Sequence, residues 1–386
     1  MSKRGRKNIL ILSYDEPLYI ARCLNSKKYG VYIMGAAQNS IALSRFCQGF
    51  TPCSKQDIDQ ASGKIEKEIN KACSLWKIDF IVPLGFPATV CLAKLKDRLV
   101  SPVFPTVSFK KLISLNNKWE FKKLLRKTEV PFPKTILIKK LKQLDHISLS
   151  YPFMVKMLDQ YGSYGVKKIN NKKELGVYKK TLRTDSFPVI LQEFIPGDDV
   201  DLSVFAKKGE IMAWSIQKWR GFEHLEFVNN PKMLEIGKKI IRGAAYTGVA
   251  HFDMREDARG NIFVLECNPR FWGSANASIL AGVDFIDAGI RCAQKKHVRK
   301  MRVEEFSYET TRQILKKLAQ NPLYFAGLSK ISRRDLLLVA TDPLPYTASF
   351  AIIMFEKIMA FIPIGQLRTY IPGRIFGLEI NIGASA

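Results

Sequence analysis

The residues best placed to do chemistry lie in Ile262-Phe263-Val264-Leu265-Glu266-Cys267-Asn268-Pro269-Arg270, preceded by Gly248-Val249-Ala250-His251-Phe252-Asp253-Met254-Arg255. On a strand, residues two apart share a face, so Glu266 and Asn268 present two oxygen ligands to one space, and Leu265 and Cys267 are expected to face away. The polar turn Glu256–Asn261 folds the two segments into a hairpin, which brings Asp253 in from the neighbouring strand. Two carboxylates and an amide oxygen form a hard, oxygen-only set suited to magnesium held together with phosphates. Arg255, two residues from Asp253 on the same strand face, is a candidate for contact with phosphate or a substrate carboxylate. His251 is also two residues from Asp253, and a strand histidine with satisfied hydrogen bonds is the plainer reading of it.

A second set lies upstream. Lys156 sits on the strand-like run Pro152-Phe153-Met154-Val155-Lys156, and Asp159-Gln160-Tyr161-Gly162-Ser163-Tyr164-Gly165-Val166 follows. Gly162 and Gly165, around Ser163, permit a loop with exposed backbone amides, the chemistry of a phosphate cradle; an ordinary hairpin turn is the alternative.

These segments, in this order, resemble the ATP-grasp superfamily of carboxylate–amine and carboxylate–thiol ligases over roughly Ser108 to Gly273. The matching motifs are the lysine of Asn116-Asn117-Lys118, the strand lysine Lys156, the glycine loop, and the hinge Leu191-Gln192-Glu193-Phe194-Ile195-Pro196-Gly197. They continue with Asp201-Leu202-Ser203-Val204 and with Asp253 and Glu266-Cys267-Asn268-Pro269-Arg270. The resemblance implies that Lys118 and Lys156 contact the α- and β-phosphates of ATP. It implies that Gln192 to Ile195 line the adenine, Glu193 and Ile195 through main-chain atoms, and that Asp201 accepts the ribose hydroxyls. Asp198 and Asp199 read as a turn after Pro196-Gly197. Asp253, Glu266 and Asn268 would hold magnesium, with manganese as an alternative ion. Arg270 would stabilise the developing phosphate or the carboxylate being phosphorylated. The implied reaction activates a small carboxylate as an acyl phosphate and passes it to an amine, so it needs no protein nucleophile. Phosphorylation of bicarbonate or another carboxylate, as in carbamoyl-phosphate synthase and biotin carboxylase relatives, is the alternative reaction. The chain shows no second synthetase copy, biotinyl segment or glutaminase domain.

The elements that must position these residues fall into three regions. Residues 1–107 alternate short apolar runs with helical patterns: strands Asn8–Ser13, Val31–Gly35 and Phe80–Pro83, helices Tyr19–Leu24, Asp57–Trp76 and Ala88–Leu95. That alternation predicts a Rossmann-like parallel α/β domain, although Ser13-Tyr14-Asp15-Glu16-Pro17 lacks the dinucleotide glycine fingerprint. Residues 108–300 form the two-lobed ATP-grasp part, with the glycine loop in 108–190 and the metal site in 191–300. Its first helix is expected over Leu112–Arg126, and residues 301–386 read as a mainly helical carboxy-terminal extension. The whole is α/β, in part α+β.

Composition narrows the setting. At 47% hydrophobic and 25% charged residues the chain is a folded globular protein. Sixty-one Lys+Arg against 35 Asp+Glu give a formal +26, which fits a polyanionic neighbour or a merely solubilising lysine background. Without an RNP, zinc-finger or basic-helix motif, no specific nucleic-acid partner is expected. Seven cysteines without a CxxC pair argue against a disulfide framework or zinc site and fit a reducing cytoplasm. The basic residues Lys295, Lys296, Arg299, Lys300, Arg302, Arg333 and Arg334, with apolar runs near Phe350 and Phe361, suggest peripheral contact with the inner face of an anionic membrane. Packing on the ligase core or on a second subunit is the alternative, which leaves a homodimer open.

Overall fold

The computed structural model describes residues 6–14, 18–26, 29–160, 165–183, 186–221, 224–298, 300–303 and 305–348. The chain divides into two compact units. One takes the described residues up to Phe104, Gly273–Leu280 and the described residues from Ile314 onward; the other is Pro105–Trp272 with Ala281–Gln313.

In the first unit, strands β1 (Asn8–Ser13), β2 (Gly30–Gly35), β3 (Gly49–Pro52) and β4 (Phe80–Pro83) form a parallel sheet in the order β3-β2-β1-β4. β1 is apolar throughout because a parallel sheet covered by helices buries both of its faces: Ile9, Leu10, Ile11 and Leu12 have no exposure. Leu10 and Leu12 pack with Ile65 and Ile69 of one helix and Cys91 and Leu92 of another. The helix expected over Asp57–Trp76 is two, Lys55–Gln60 and Gly63–Leu75. Ala61 turns left-handed (φ 49°), and Ser62 caps the second helix by accepting from the Ile65 N–H. β3 carried no clear sequence signal.

This unit also contains the described carboxy-terminal helices, Lys330–Ala340 among them. Asp342, just past that helix, is 2% exposed and takes Arg22 Nε and Nη2 at 3.0 Å and Ser44 Oγ at 2.7 Å on Oδ2, with the Arg45 N–H on Oδ1. The expected 301–386 extension is therefore divided differently. Met301–Arg302 and Phe306–Glu309 are strands of the second unit, and the helices from Ile314 belong to the first. The apolar runs near Phe350 and Phe361, and Arg299, lie outside the described residues. All seven cysteines are free. Among the described residues no helix is long and apolar enough to cross a membrane.

The second unit holds two sheets. Strands β5 (Thr135–Ile138), β6 (Phe153–Met157), β7 (Lys167–Ile169) and β8 (Val189–Glu193) make an antiparallel sheet in the order β5-β8-β6-β7. The larger sheet is built from β9 (Asp198–Lys207), β10 (Glu210–Trp219), β11 (His224–Phe227), β12 (Gly248–Glu256), β13 (Ile262–Asn268), β14 (Met301–Arg302) and β15 (Phe306–Glu309). Its order is β13-β12-β9-β10-β11-β15, with β14 parallel to β10. Its inner face is a closed apolar core, Leu202, Val204, Phe252, Met254, Val264 and Cys267, covered by Ile240 and Ile241 of the helix Pro231–Gly243. Alternate residues on the opposite face are thereby free for polar work.

Candidate functional site

The central row of the large sheet places carboxylates side by side. Asp201 on β9 pairs with Asp253 on β12, which pairs with Glu266 on β13, and directly opposed residues on antiparallel strands share a face. One row further on, Ser203, His251 and Asn268 align in the same way. The β12–β13 hairpin that sets this register closes on Asp257, whose carboxylate accepts the backbone N–H groups of Arg259 (2.9 Å) and Asn261 (2.8 Å).

A cavity of about 290 Å³ opens beside this row and is lined by Lys118, Lys156, Asp253 and Glu266. Lys118 is delivered by a helix break: the helix expected over Leu112–Arg126 is Phe109–Asn116 and Lys118–Lys127, because the Asn117 side chain accepts from Trp119 and Glu120 N–H (3.1 Å each) and starts a new helix. The Lys118 N–H donates to Leu158 O (2.8 Å), and its Nζ reaches Glu266 Oε2 at 3.1 Å and Gln160 O at 2.7 Å. Lys156, on β6, is buried, and burial pulls its pKa down.

The carboxylates divide one charge state between them. Burial would raise Glu266, but Lys118, a hydrogen bond with Asp253, and Lys156 outweigh it and hold Glu266 at about 2. Burial, then the nearby charges of Glu266 and Asp201, push Asp253 well above the usual carboxylate range. Burial also lifts Asp201, to about 6, although Gln217 Nε2 (3.0 Å) and Trp219 Nε1 (2.9 Å) donate to its Oδ2. His251 is held neutral, its pKa lowered to about 3 by burial and by Arg270. Asp253 and Glu266, paired across β12 and β13 at the cavity wall, form a hard oxygen donor set that fits magnesium.

The hinge also lines the cavity, through Gln192, Glu193, Phe194 and Ile195, and Met154 joins them. The Glu193 N–H donates to Lys134 O (2.8 Å), so that amide is already engaged. Phe194 lies between two cations, Lys168 Nζ 3.8 Å and Arg255 Cζ 5.4 Å from its ring centroid.

Four expectations shift on this geometry. Asp198 and Asp199 begin β9 and are not a turn. Asp199 lines the cavity, while Asp201 lies buried under Gln217 and Trp219 and does not. Arg255 lines the cavity, and its guanidinium binds Asp199 Oδ1 (2.8 Å) and the Gly197 carbonyl, so it also braces the hinge. Leu265 faces the cavity, contrary to simple alternation: the pairing steps from Asp253↔Glu266 to Met254↔Val264, a bulge that turns Leu265 and Glu266 to the same side. Asn268 lies beside the cavity, its Nδ2 donating to Asp253 Oδ1 (3.2 Å) and its Oδ1 accepting from Arg270 Nη2 (3.0 Å).

Cys267 points into the core as expected. Gly162 and Ser163 lie outside the described residues; Gly165 turns at φ 68° and its neighbour Val166 reaches the cavity. Sequence reasoning missed Met154, which the two-residue strand period from Lys156 could have found. It also missed Gln160, Val166 and Leu265, for which no local signal exists.

Comparisons with known proteins agree with this architecture. Residues 185–316 match the family model described as "ATP-grasp in the biosynthetic pathway with Ter operon". No curated protein sequence matches the chain. The crystal structure of an L-amino acid ligase from Bacillus licheniformis superposes with TM-score 0.60 at 17% identity, covering 76% of this chain and 75% of that one. N5-carboxyaminoimidazole synthetase from Staphylococcus aureus, complexed with ADP, gives 0.65 at 16% identity over 83% of this chain and 88% of that one. Biotin carboxylase from Campylobacter jejuni gives 0.60 at 14% over 75% and 71%. The fold of this chain is the ATP-grasp fold, and residues 185–316 match an ATP-grasp family model.

Proposed function

We propose that this chain is an ATP- and magnesium-dependent ligase that activates a small carboxylate as an acyl phosphate and joins it to an amine. The observation that carries the reading is one cavity lined by two lysines, Lys118 and Lys156, by the carboxylates of Asp253 and Glu266, and by Phe194 and Ile195 of the hinge. An anionic polyphosphate and a divalent cation together match that charge pattern; neither alone does.

In this reading Phe194 and Ile195 hold the adenine, and Asp199, the hinge carboxylate at the cavity wall, takes the ribose hydroxyls. Lys118 and Lys156 supply point charges to the phosphates. Glu266 and Asp253 would hold the metal, and Asn268 steadies Asp253 through its Nδ2. When bound there, magnesium would screen the charge of the phosphates. Arg270, held by Asn268 Oδ1 and Phe271 O, borders the carboxylate to be activated.

The test is magnesium-dependent release of ADP by the purified chain against pooled carboxylates, with and without pooled amines, beside Glu266→Gln. Release that requires both pools and falls at least a hundredfold in the variant is expected. Release with carboxylates alone would replace the ligase by a carboxylate kinase, and no release together with no Mg-ATP binding would end the enzyme reading.

A peripheral position on an anionic membrane is the second part of the proposal, supported by the first unit's surface over residues 314–348. Leu323 there is 81% exposed, and Leu315, Phe325 and Leu337 are exposed near Lys316, Lys330 and Arg334. The acids of this stretch, Asp335 and Asp342, are both buried. Sedimentation with phosphatidylglycerol vesicles that Leu323→Glu/Phe325→Glu leaves unchanged would remove this part.

A further inference from the structure

The carboxylate of Asp253, read above as facing the metal, is held by a line of side chains that runs through His251 to Ser203. Ser203, on β9, is fully buried and its Oγ lies 2.8 Å from His251 Nδ1. His251 Nε2 in turn lies 3.2 Å from Asp253 Oδ1 and 3.8 Å from Asp201 Oδ2. The Asp201 oxygen already accepts from Gln217 Nε2 and Trp219 Nε1, which occupies both of its lone pairs. The nearer, unsaturated acceptor is Asp253. The hydrogen-bond network therefore assigns the tautomer: the Ser203 hydroxyl donates to Nδ1, and Nε2–H donates to Asp253 Oδ1. The ring cannot swing away, because it stacks on Trp272 with centroids 5.4 Å apart and planes 7° apart.

Asp253 Oδ1 thus receives two donors, His251 Nε2–H from one side and Asn268 Nδ2–H at 3.2 Å from the other. Two donors on one oxygen fix the rotation of the carboxylate. Without such donors a carboxylate beside Asp201 and Glu266 would rotate to lessen their repulsion.

We propose that His251 is a positioning residue for the metal site: through the Ser203–His251–Asp253 line it fixes the carboxylate of Asp253 so that one oxygen is presented to the cation. The proposal rests on the metal-dependent reading above.

Binding of Mn2+ to the full chain, followed by the loss of the free-ion electron paramagnetic resonance signal with and without the β,γ-imido analogue of ATP, tests it without turnover. The wild-type chain is expected to bind and Glu266→Gln to lose binding. His251→Phe, which keeps the stack on Trp272 but has no N–H, is expected to weaken binding at least tenfold. His251→Gln, whose amide restores a donor, is expected to recover most of it, and a merely structural histidine would not show that rescue. Should His251→Phe fail to fold, Ser203→Ala carries the test, with a weakening of about threefold or more. Wild-type binding that depends on Glu266 but is the same in His251→Phe, or in Ser203→Ala, overturns the positioning role alone. No binding by the wild-type chain overturns the metal-dependent reading and the inference with it.

Discussion

Lys118 Nζ and Glu266 Oε2 lie 3.1 Å apart although a helix start delivers one and the edge strand β13 of the large sheet the other, and both side chains are largely buried. Glu266 owes its low pKa of about 2 chiefly to this neighbour, working against burial. A double-mutant cycle with Lys118→Met and Glu266→Gln should therefore show a coupling of about 1–3 kcal/mol in denaturant unfolding. The double variant should be more stable than the sum of the single losses predicts, because it buries no uncompensated charge. Strict additivity would mean that the pair is not formed in solution.

The hinge is braced by Arg255, and its removal should separate binding from chemistry. Arg255→Ala is expected to raise KM for ATP about tenfold with kcat changed no more than about threefold, since the guanidinium holds Gly197 O and Asp199 and touches no reacting group. Arg255→Lys should rescue little, because one ammonium cannot bridge both acceptors. A fall confined to kcat would return Arg255 to the reacting centre.

Gly197 sits at φ 137° where a Cβ would stand 2.0 Å from the Glu256 carbonyl oxygen. Gly197→Ala should destabilise the chain by about 2 kcal/mol or more, read as a shift of the urea midpoint. An unchanged midpoint would show that the hinge and β12 do not approach so closely.

The Asp342 carboxylate neutralises Arg22 in the core of the first unit. Asp342→Ala should cost about 3–5 kcal/mol by leaving a buried guanidinium unpaired, measurable by thermal or urea unfolding. A loss below about 1 kcal/mol for Asp342→Ala would place Arg22 in water.

Two thiols should be inert at ordinary pH. Burial, aided by Glu68 for Cys53, raises Cys53 to about 12, and burial likewise raises Cys91 to about 12. Only about one molecule in ten thousand carries the thiolate at pH 8, so iodoacetamide should leave both unmodified in the native chain and label both in urea, by peptide mass mapping. Because the folded chain keeps protons that the unfolded chain releases from pH 9 upward, their contribution to stability is whole below pH 9 and falls as pH rises toward 12. Rapid native labelling at pH 8 would contradict the packing around β1 and β4.

The local features were legible from the amino-acid order alone. β1, β4, β6 and β13 follow from short apolar runs, the β12–β13 hairpin from its polar turn, and the facing of Glu266 and Asn268 from the two-residue strand period. The succession of lysine, glycine loop, hinge and paired acids gave the fold. Tertiary structure alone decided what depends on register between distant segments. The bulge opposite Asp253 turns Leu265 into the cavity, the alignment of β9 with β12 seats Asp199 against Arg255 and buries Asp201, and Ser203 meets His251 across two strands. A residue's face along its own strand is fixed by local geometry, whereas its partner across the sheet is fixed by a pairing that many distant contacts choose together.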